Sequence, residues 1–236
     1  MSENKLKKRI IEAPRVEANN LAWKPIVLTD SKGGSVKRES RNIHQIQWEI
    51  KIGATTRQYE QWIKRNISLL QRRHNKVHLY LWTGTCDFTD KVNKFIYLNS
   101  NVEEAVREYR DNIESINRLV KSCDNVRLTF LPIPYLSIEA WNRAKGHNEP
   151  DIFKEQDKIL TGIIDSENCL LKEKNKEGNT YAPNLNADLV RSRKAKGKKQ
   201  RYSLNLSLLP DGVHPGVNIA KVWGINISRC IVDQCK

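Results

Sequence analysis

The sequence predicts an α/β fold built on a parallel sheet with helices on both faces. Three observations carry the expectation. Short apolar runs alternate with long stretches of helical periodicity over residues 25–131. The runs are apolar almost throughout, as strands covered on both faces must be. Of the 236 residues, 39% are hydrophobic, enough to bury a sizeable core and to exclude a chain disordered throughout.

The first run, Pro25-Ile26-Val27-Leu28, reads as a buried strand that stops at Thr29-Asp30-Ser31-Lys32-Gly33-Gly34, where two glycines allow a sharp turn. Trp48 to Ile52 alternates at period two and ends at Gly53, as a strand does. Tyr59, Trp62, Ile63, Ile67 and Leu70 then share one helical face. Val77 to Trp82 is a strand rich in β-formers, ending at Thr83-Gly84-Thr85-Cys86-Asp87. Val102, Ala105, Val106, Tyr109, Ile113, Ile116 and Val120 mark a long helix, and Val126 to Leu131 a strand closed by Pro132 and Pro134. Beyond them, residues 152–164 read as a helix, Cys169-Leu170-Leu171 as a last strand, and Val217 to Ile231 as a terminal helix. Residues 1–22 read as a basic mobile arm, residues 23–236 as one domain, and 172–203 as an exposed polar loop.

Charge narrows the partners. The chain carries 41 Lys and Arg against 27 Asp and Glu, a formal +14, which favours polyanions such as nucleic acid. Seven basic residues fall between 191 and 201: Arg191, Arg193, Lys194, Lys196, Lys198, Lys199 and Arg201. Such a run can hold a phosphate backbone without sequence preference, and it also fits a nuclear-localisation signal. The chain has neither a long enough apolar stretch for a membrane-spanning helix nor a signal peptide at its start, so it reads as intracellular, cytoplasmic or nuclear. Five cysteines at wide spacings, Cys86, Cys123, Cys169, Cys230 and Cys235, read as free thiols, with no metal site.

The turns after the strands bring Ser31, Gly53 and Cys86-Asp87 to one edge of the sheet, where ligands of such sheets sit. Asp211-Gly212-Val213-His214, just before the terminal helix, has a spacing that can set a carboxylate against one imidazole nitrogen while the other faces a nucleophile. Ser31 is the candidate nucleophile.

These four segments, in this order, resemble the blocks of the SGNH (GDSL-type) hydrolases. Thr29-Asp30-Ser31 is similar to the first block, Ile52-Gly53-Ala54-Thr55-Thr56 to the second, Gly84-Thr85-Cys86-Asp87 to the third (Gly-x-Asn-Asp) and Asp211-Gly212-Val213-His214-Pro215 to the fifth. The resemblance implies a three-layer α/β/α sandwich, flavodoxin-like, with five parallel strands. It implies a serine esterase using Ser31, His214 and Asp211, with Ser31, Gly53 and Cys86 at the oxyanion position and no cofactor or metal. Thr29 stands where the family usually has Gly, and Cys86 where it has an Asn whose amide donates to the oxyanion; a thiol is a poor donor. The Gly-Thr-Cys-Asp turn also resembles esterase-type domains of animal retroelement open reading frames. A more distant likeness is to the SGNH-like domain of Oskar proteins, which binds RNA. The alternative function is therefore a catalytically degenerate module that binds RNA or DNA through its basic surfaces.

Overall fold

The computed structural model describes residues 1–14, 20–39, 45–193 and 201–236. The strands are β1 (Lys24–Thr29), β2 (Gln47–Ile50), β3 (Val77–Trp82), β4 (Thr89–Val92), β5 (Phe95–Leu98), β6 (Val126–Phe130), β7 (Val190–Arg193) and β8 (Arg201–Leu204). The helices are α1 (Glu3–Glu12), α2 (Ser31–Glu39), α3 (Thr56–His74), α4 (Val102–Lys121), α5 (Ile138–Ala144), α6 (Lys154–Glu177) and α7 (Val217–Cys235).

Four strands form one parallel sheet in the order β2-β1-β3-β6, and β4–β5 and β7–β8 are separate antiparallel hairpins. Side chains of a strand alternate between faces. Ile26, Leu28, Leu79 and Leu81 accordingly pack in one cluster with Tyr59 and Ile63 of α3, Ile113 and Ile116 of α4, and Leu160 and Ile164 of α6. Val27, Tyr80 and Trp82 point the other way, into Val36 of α2 and Trp223, Ile227 and Ile231 of α7. The result is the layered α/β arrangement read from the sequence.

Among the described residues the parallel sheet has four strands, where five were expected. Cys169-Leu170-Leu171 lies inside α6, because Leu160, Ile164, Leu171 and Asn175 continue a single buried helical face. The outer edge of β6 is instead closed by side chains. The Asn175 amide donates to the Phe130 carbonyl and accepts from the Phe130 N–H, each at 2.8 Å, and Thr180 Oγ1 donates to the Leu128 carbonyl at 3.1 Å. One turn pair earlier on α6, Asn168 makes the same two-way contact with Ile133 at 2.7 and 2.9 Å. A carboxamide carries one acceptor and donors in the geometry of a peptide group, so these side chains satisfy the edge as a strand would.

Three further expectations are corrected. Residues 3–12 of the supposed arm form α1, whose Leu6 is fully buried against α7 while Ile10, one turn on, packs beside it; a two-residue stripe in charged sequence gives little periodicity. Residues 172–177 continue α6, Leu185 and Leu189 are buried in a 3₁₀ turn, and Arg191, Arg193 and Arg201 fall on the β7–β8 hairpin, so 172–203 is not one loop. Lys194, Lys196, Lys198 and Lys199 lie outside the described residues. Gly33 and Gly34 sit within α2 and make no turn. Among the described residues, no helix is long and apolar enough to cross a membrane.

Candidate active site

Topology locates the site. From β1 the chain runs through α2 to β2 on one side, then crosses through α3 to β3 on the other side of β1. The helices that follow β1 and β3, α2 and α4, therefore lie on opposite faces of the sheet, and the carboxyl ends of strands at such a switch point are where ligands of these folds bind. Thr29-Asp30-Ser31 leaves β1 there and Thr83 to Asp87 leaves β3.

Ser31 is the first residue of α2, at the end of the helix where backbone N–H groups are unpaired and the helix dipole is positive. Asp30 precedes it as the cap. Its Oδ1 accepts the Lys32 N–H at 3.0 Å and its carbonyl accepts the Gly33 N–H at 3.2 Å.

His214 arrives from 183 residues away, and its Nε2 lies 2.9 Å from Ser31 Oγ. Its Nδ1 lies 2.7 Å from Asp211 Oδ2, while Asp211 Oδ1 accepts the backbone N–H of His214 at 2.7 Å and of Val213 at 3.0 Å. Burial of Asp211 opposes its ionisation, but the His214 ring and these two N–H donors outweigh that and hold the carboxyl down to about 2. An ionised Asp211 can only accept, so it fixes the Nδ1–H tautomer of a neutral His214 and leaves Nε2 to accept from the Ser31 hydroxyl. Gly212 makes this short loop possible: its φ is +82°, and a Cβ there would stand 2.7 Å from the Ser137 carbonyl and 2.8 Å from the Trp141 N–H. The loop is thereby pressed on α5, and the Trp141 ring stands 5.8 Å from that of His214.

The second segment follows β2. Lys51 donates its N–H to the Thr29 carbonyl at 3.0 Å, which carries the β1–β2 pairing one step further and lays the next turn beside the one holding Ser31. Ala54 closes that turn on Lys51 at 3.1 Å, with Gly53 exposed at φ +69°. The buried Tyr59 hydroxyl, 2.6 Å from the Thr29 carbonyl and 3.1 Å from the Lys51 N, locks the two strand ends together.

The third segment is a 3₁₀ turn, Thr85–Asp87, entered through Gly84 at φ +114°. Burial pushes the Cys86 thiol up to about 11, so it stays a neutral thiol at ordinary pH and no thiolate nucleophile. Burial likewise pushes Asp87 up to about 6, although its carboxylate accepts the Thr56 N–H at 2.9 Å and the Thr56 hydroxyl at 3.1 Å. Asp87 so ties this turn to the first turn of α3, immediately after the Gly53 turn.

The Ser31, Asp211 and His214 singled out in the sequence are thus joined in one hydrogen-bonded chain. Gly53, Cys86 and Asp87 sit on the two flanking turns. Arg191, Arg193 and Arg201 lie on the separate β7–β8 hairpin. One residue escaped the sequence reading: Lys32, next to Ser31, is 1% exposed and hydrogen-bonded to Asp30 and to Thr85 Oγ1, the latter at 2.7 Å. A lysine in a polar turn carries no sign that it will be buried.

No protein-family model and no curated sequence matches the chain. Solved structures share its fold. A candidate acylhydrolase of Bacteroides fragilis NCTC 9343 superposes with a TM-score of 0.55 at 15% identity, covering 99% of this chain and 97% of the other. The C-terminal catalytic domain of the peptidoglycan O-acetyltransferase OatA of Streptococcus pneumoniae, which bears a methylsulfonyl adduct, gives 0.52 at 13% identity, covering 90% and 94%. The acetyl xylan esterase AlAXEase gives 0.50 at 11% identity, covering 90% of this chain and all of that one. The fold is therefore one on which acylhydrolases and esterases are built.

Proposed function

We propose that the protein is a serine ester hydrolase of the SGNH type, acting on a short acyl ester, with Ser31 as nucleophile, His214 as general base and Asp211 as its orienting partner. The observation that carries the reading is the 2.9 Å approach of His214 Nε2 to Ser31 Oγ, with Asp211 ionised behind the ring.

In this reading His214 takes the Ser31 proton as Oγ attacks the acyl carbonyl, and the C–O bond to the alcohol breaks as His214 returns that proton to the leaving oxygen. Water then attacks the acyl-serine, passes a proton to His214, and releases the acid with Ser31 re-protonated. The tetrahedral oxyanion is met by backbone N–H groups of Ser31, at the positive end of α2, and of Gly53. The Cys86 thiol is a weak third donor. A missing strong donor costs about 3 to 4 kcal/mol of transition-state stabilisation, roughly a hundred- to thousandfold in rate, so slow turnover is expected. The neighbours named for acetyl chemistry make acetyl the first acyl group to try.

The experiment is hydrolysis of an aryl acetate by the wild-type protein and by Ser31→Ala. Release of the aryl alcohol above the Ser31→Ala rate supports the reading, and equal rates refute it.

A further inference from the structure

Lys32 is an unusual residue to bury. Its side chain is 1% exposed, on the first turn of α2, one residue beyond Ser31. The ammonium pairs with Asp30, itself 1% exposed, and donates to Thr85 Oγ1 at 2.7 Å; it also stands 5.9 Å from the centroid of the Trp82 ring. A long apolar side chain would fill the same space without the desolvation cost of a charge. What such a side chain could not do is join two turns. Asp30 and Lys32 flank Ser31, whereas Thr85 directly precedes Cys86 and is the first residue of the turn that ends in Asp87. These are the turns at the carboxyl ends of the neighbouring strands β1 and β3, one carrying Ser31 and the other Cys86. Thr85 is in turn fixed from behind, its carbonyl accepting the Thr89 hydroxyl at 3.0 Å.

We propose that Lys32 is a positioning residue of the ester-hydrolysing site: its buried ammonium clamps the Ser31 turn to the Thr85–Asp87 turn and so sets the spacing between Ser31 and Cys86 across which the acyl group is attacked. The inference rests on the hydrolase reading above. Where the usual Asn amide is replaced by Cys86, the clamp holds the spacing of the two turns without needing that side chain to reach across. A small displacement of the two turns leaves ester binding intact but misaligns Ser31 Oγ with the carbonyl, which lowers kcat with KM unchanged.

Lys32→Met leaves the Asp30 carboxylate buried without its cation and is liable to misfold, so the decisive variants are at Thr85. Thr85→Val keeps the shape and removes the bridging hydroxyl, and Thr85→Ser restores the hydroxyl without the methyl group. Aryl acetate hydrolysis and labelling of Ser31 by an alkyl fluorophosphonate are measured for wild type and both variants. In Thr85→Val, kcat and the labelling rate are expected to fall about 10- to 100-fold at unchanged KM, and Thr85→Ser recovers most of the loss. Thr85→Val with wild-type kcat, or Thr85→Ser as impaired as Thr85→Val, overturns the clamp while leaving the hydrolase reading intact. If the wild-type protein neither hydrolyses the ester nor labels at Ser31, the hydrolase reading itself fails and the clamp falls with it.

Discussion

Thr29 and Gly33 fit one another across the start of α2. A Cβ on Gly33 would lie 2.0 Å from Thr29 Cγ2 and 2.9 Å from Thr29 Oγ1, so the threonine at the end of β1 is accommodated only because the helix presents a bare backbone to it. Thr29 is fully buried and its carbonyl is held by the Tyr59 hydroxyl, so it has nowhere to move. Gly33→Ala is expected to lower stability by about 1 to 3 kcal/mol through overpacking. In the double variant with Thr29→Gly most of that loss is recovered. Urea unfolding of the two single variants and the double variant measures the coupling.

Fold and site were legible to different depths. The strands read at 25–28, 77–82 and 126–131 and the helical faces at 59–70 and 102–120 carry period and composition together, and β1, β3, β6, α3 and α4 appear there. The fifth strand was misread because three apolar residues in a row, Cys169 to Leu171, look alike in a strand and in a buried helix. What closes that edge, the Asn175 amide on β6 with Asn168 on the segment just after it, belongs to a residue type associated with turns. Ser31 at the end of an apolar strand and the Asp211–His214 spacing before a helix are each local signals, and the fold joins them across 183 residues in one hydrogen-bonded chain. Lys32 and Tyr59 give no such signal, since their roles depend on side chains meeting across the fold.

The amides of α6 predict a stability effect without an active-site effect. Asn175→Leu leaves the buried N–H and carbonyl of Phe130 without partners, at a cost of about 1 to 3 kcal/mol per group. Denaturant unfolding is expected to show that loss, whereas Asn175→Gln, which keeps the amide but moves it by a methylene, should recover part of it.

The carboxyls of the site respond to acid in opposite senses. Asp211, held down to about 2, contributes stability above its unfolded value of 3.8 that is lost as pH falls through that range towards 2. Asp87, pushed up by burial to about 6, is favoured in its neutral form, so its contribution is complete below 3.8 and is lost as pH rises through 6. Unfolding across pH should therefore find Asp87→Asn gaining on wild type as pH rises from 4 to 7, with Asp211→Asn closing on wild type below about 4. A gap between wild type and Asp87→Asn that stays constant over that window would contradict the assignment.

Cys86 offers a gain-of-function prediction. Cys86→Asn supplies a strong neutral donor where the thiol supplies a weak one, and the expected rise in kcat for an aryl acetate is about 10- to 100-fold, somewhat less than the full worth of a native donor. Steady-state kinetics at saturating ester gives the answer directly.

Gly212 holds the loop that presents His214. Gly212→Ala forces a Cβ into the Ser137 carbonyl at a positive φ, so the loop must lift from α5 and carry the imidazole from Ser31. Ester hydrolysis is expected to drop about 100-fold or more, with the rest of the fold retained by circular dichroism.

The proposed activation of Ser31 by His214 is read out by exposing the protein to an alkyl fluorophosphonate and following its mass. Ser31 Oγ displaces fluoride from phosphorus, and His214 takes the departing proton. One phosphonyl adduct is expected on the peptide containing Ser31, absent in Ser31→Ala and formed far more slowly in His214→Gln. A wild-type protein that gains no adduct at Ser31, or one whose labelling is indifferent to His214→Gln, would contradict it.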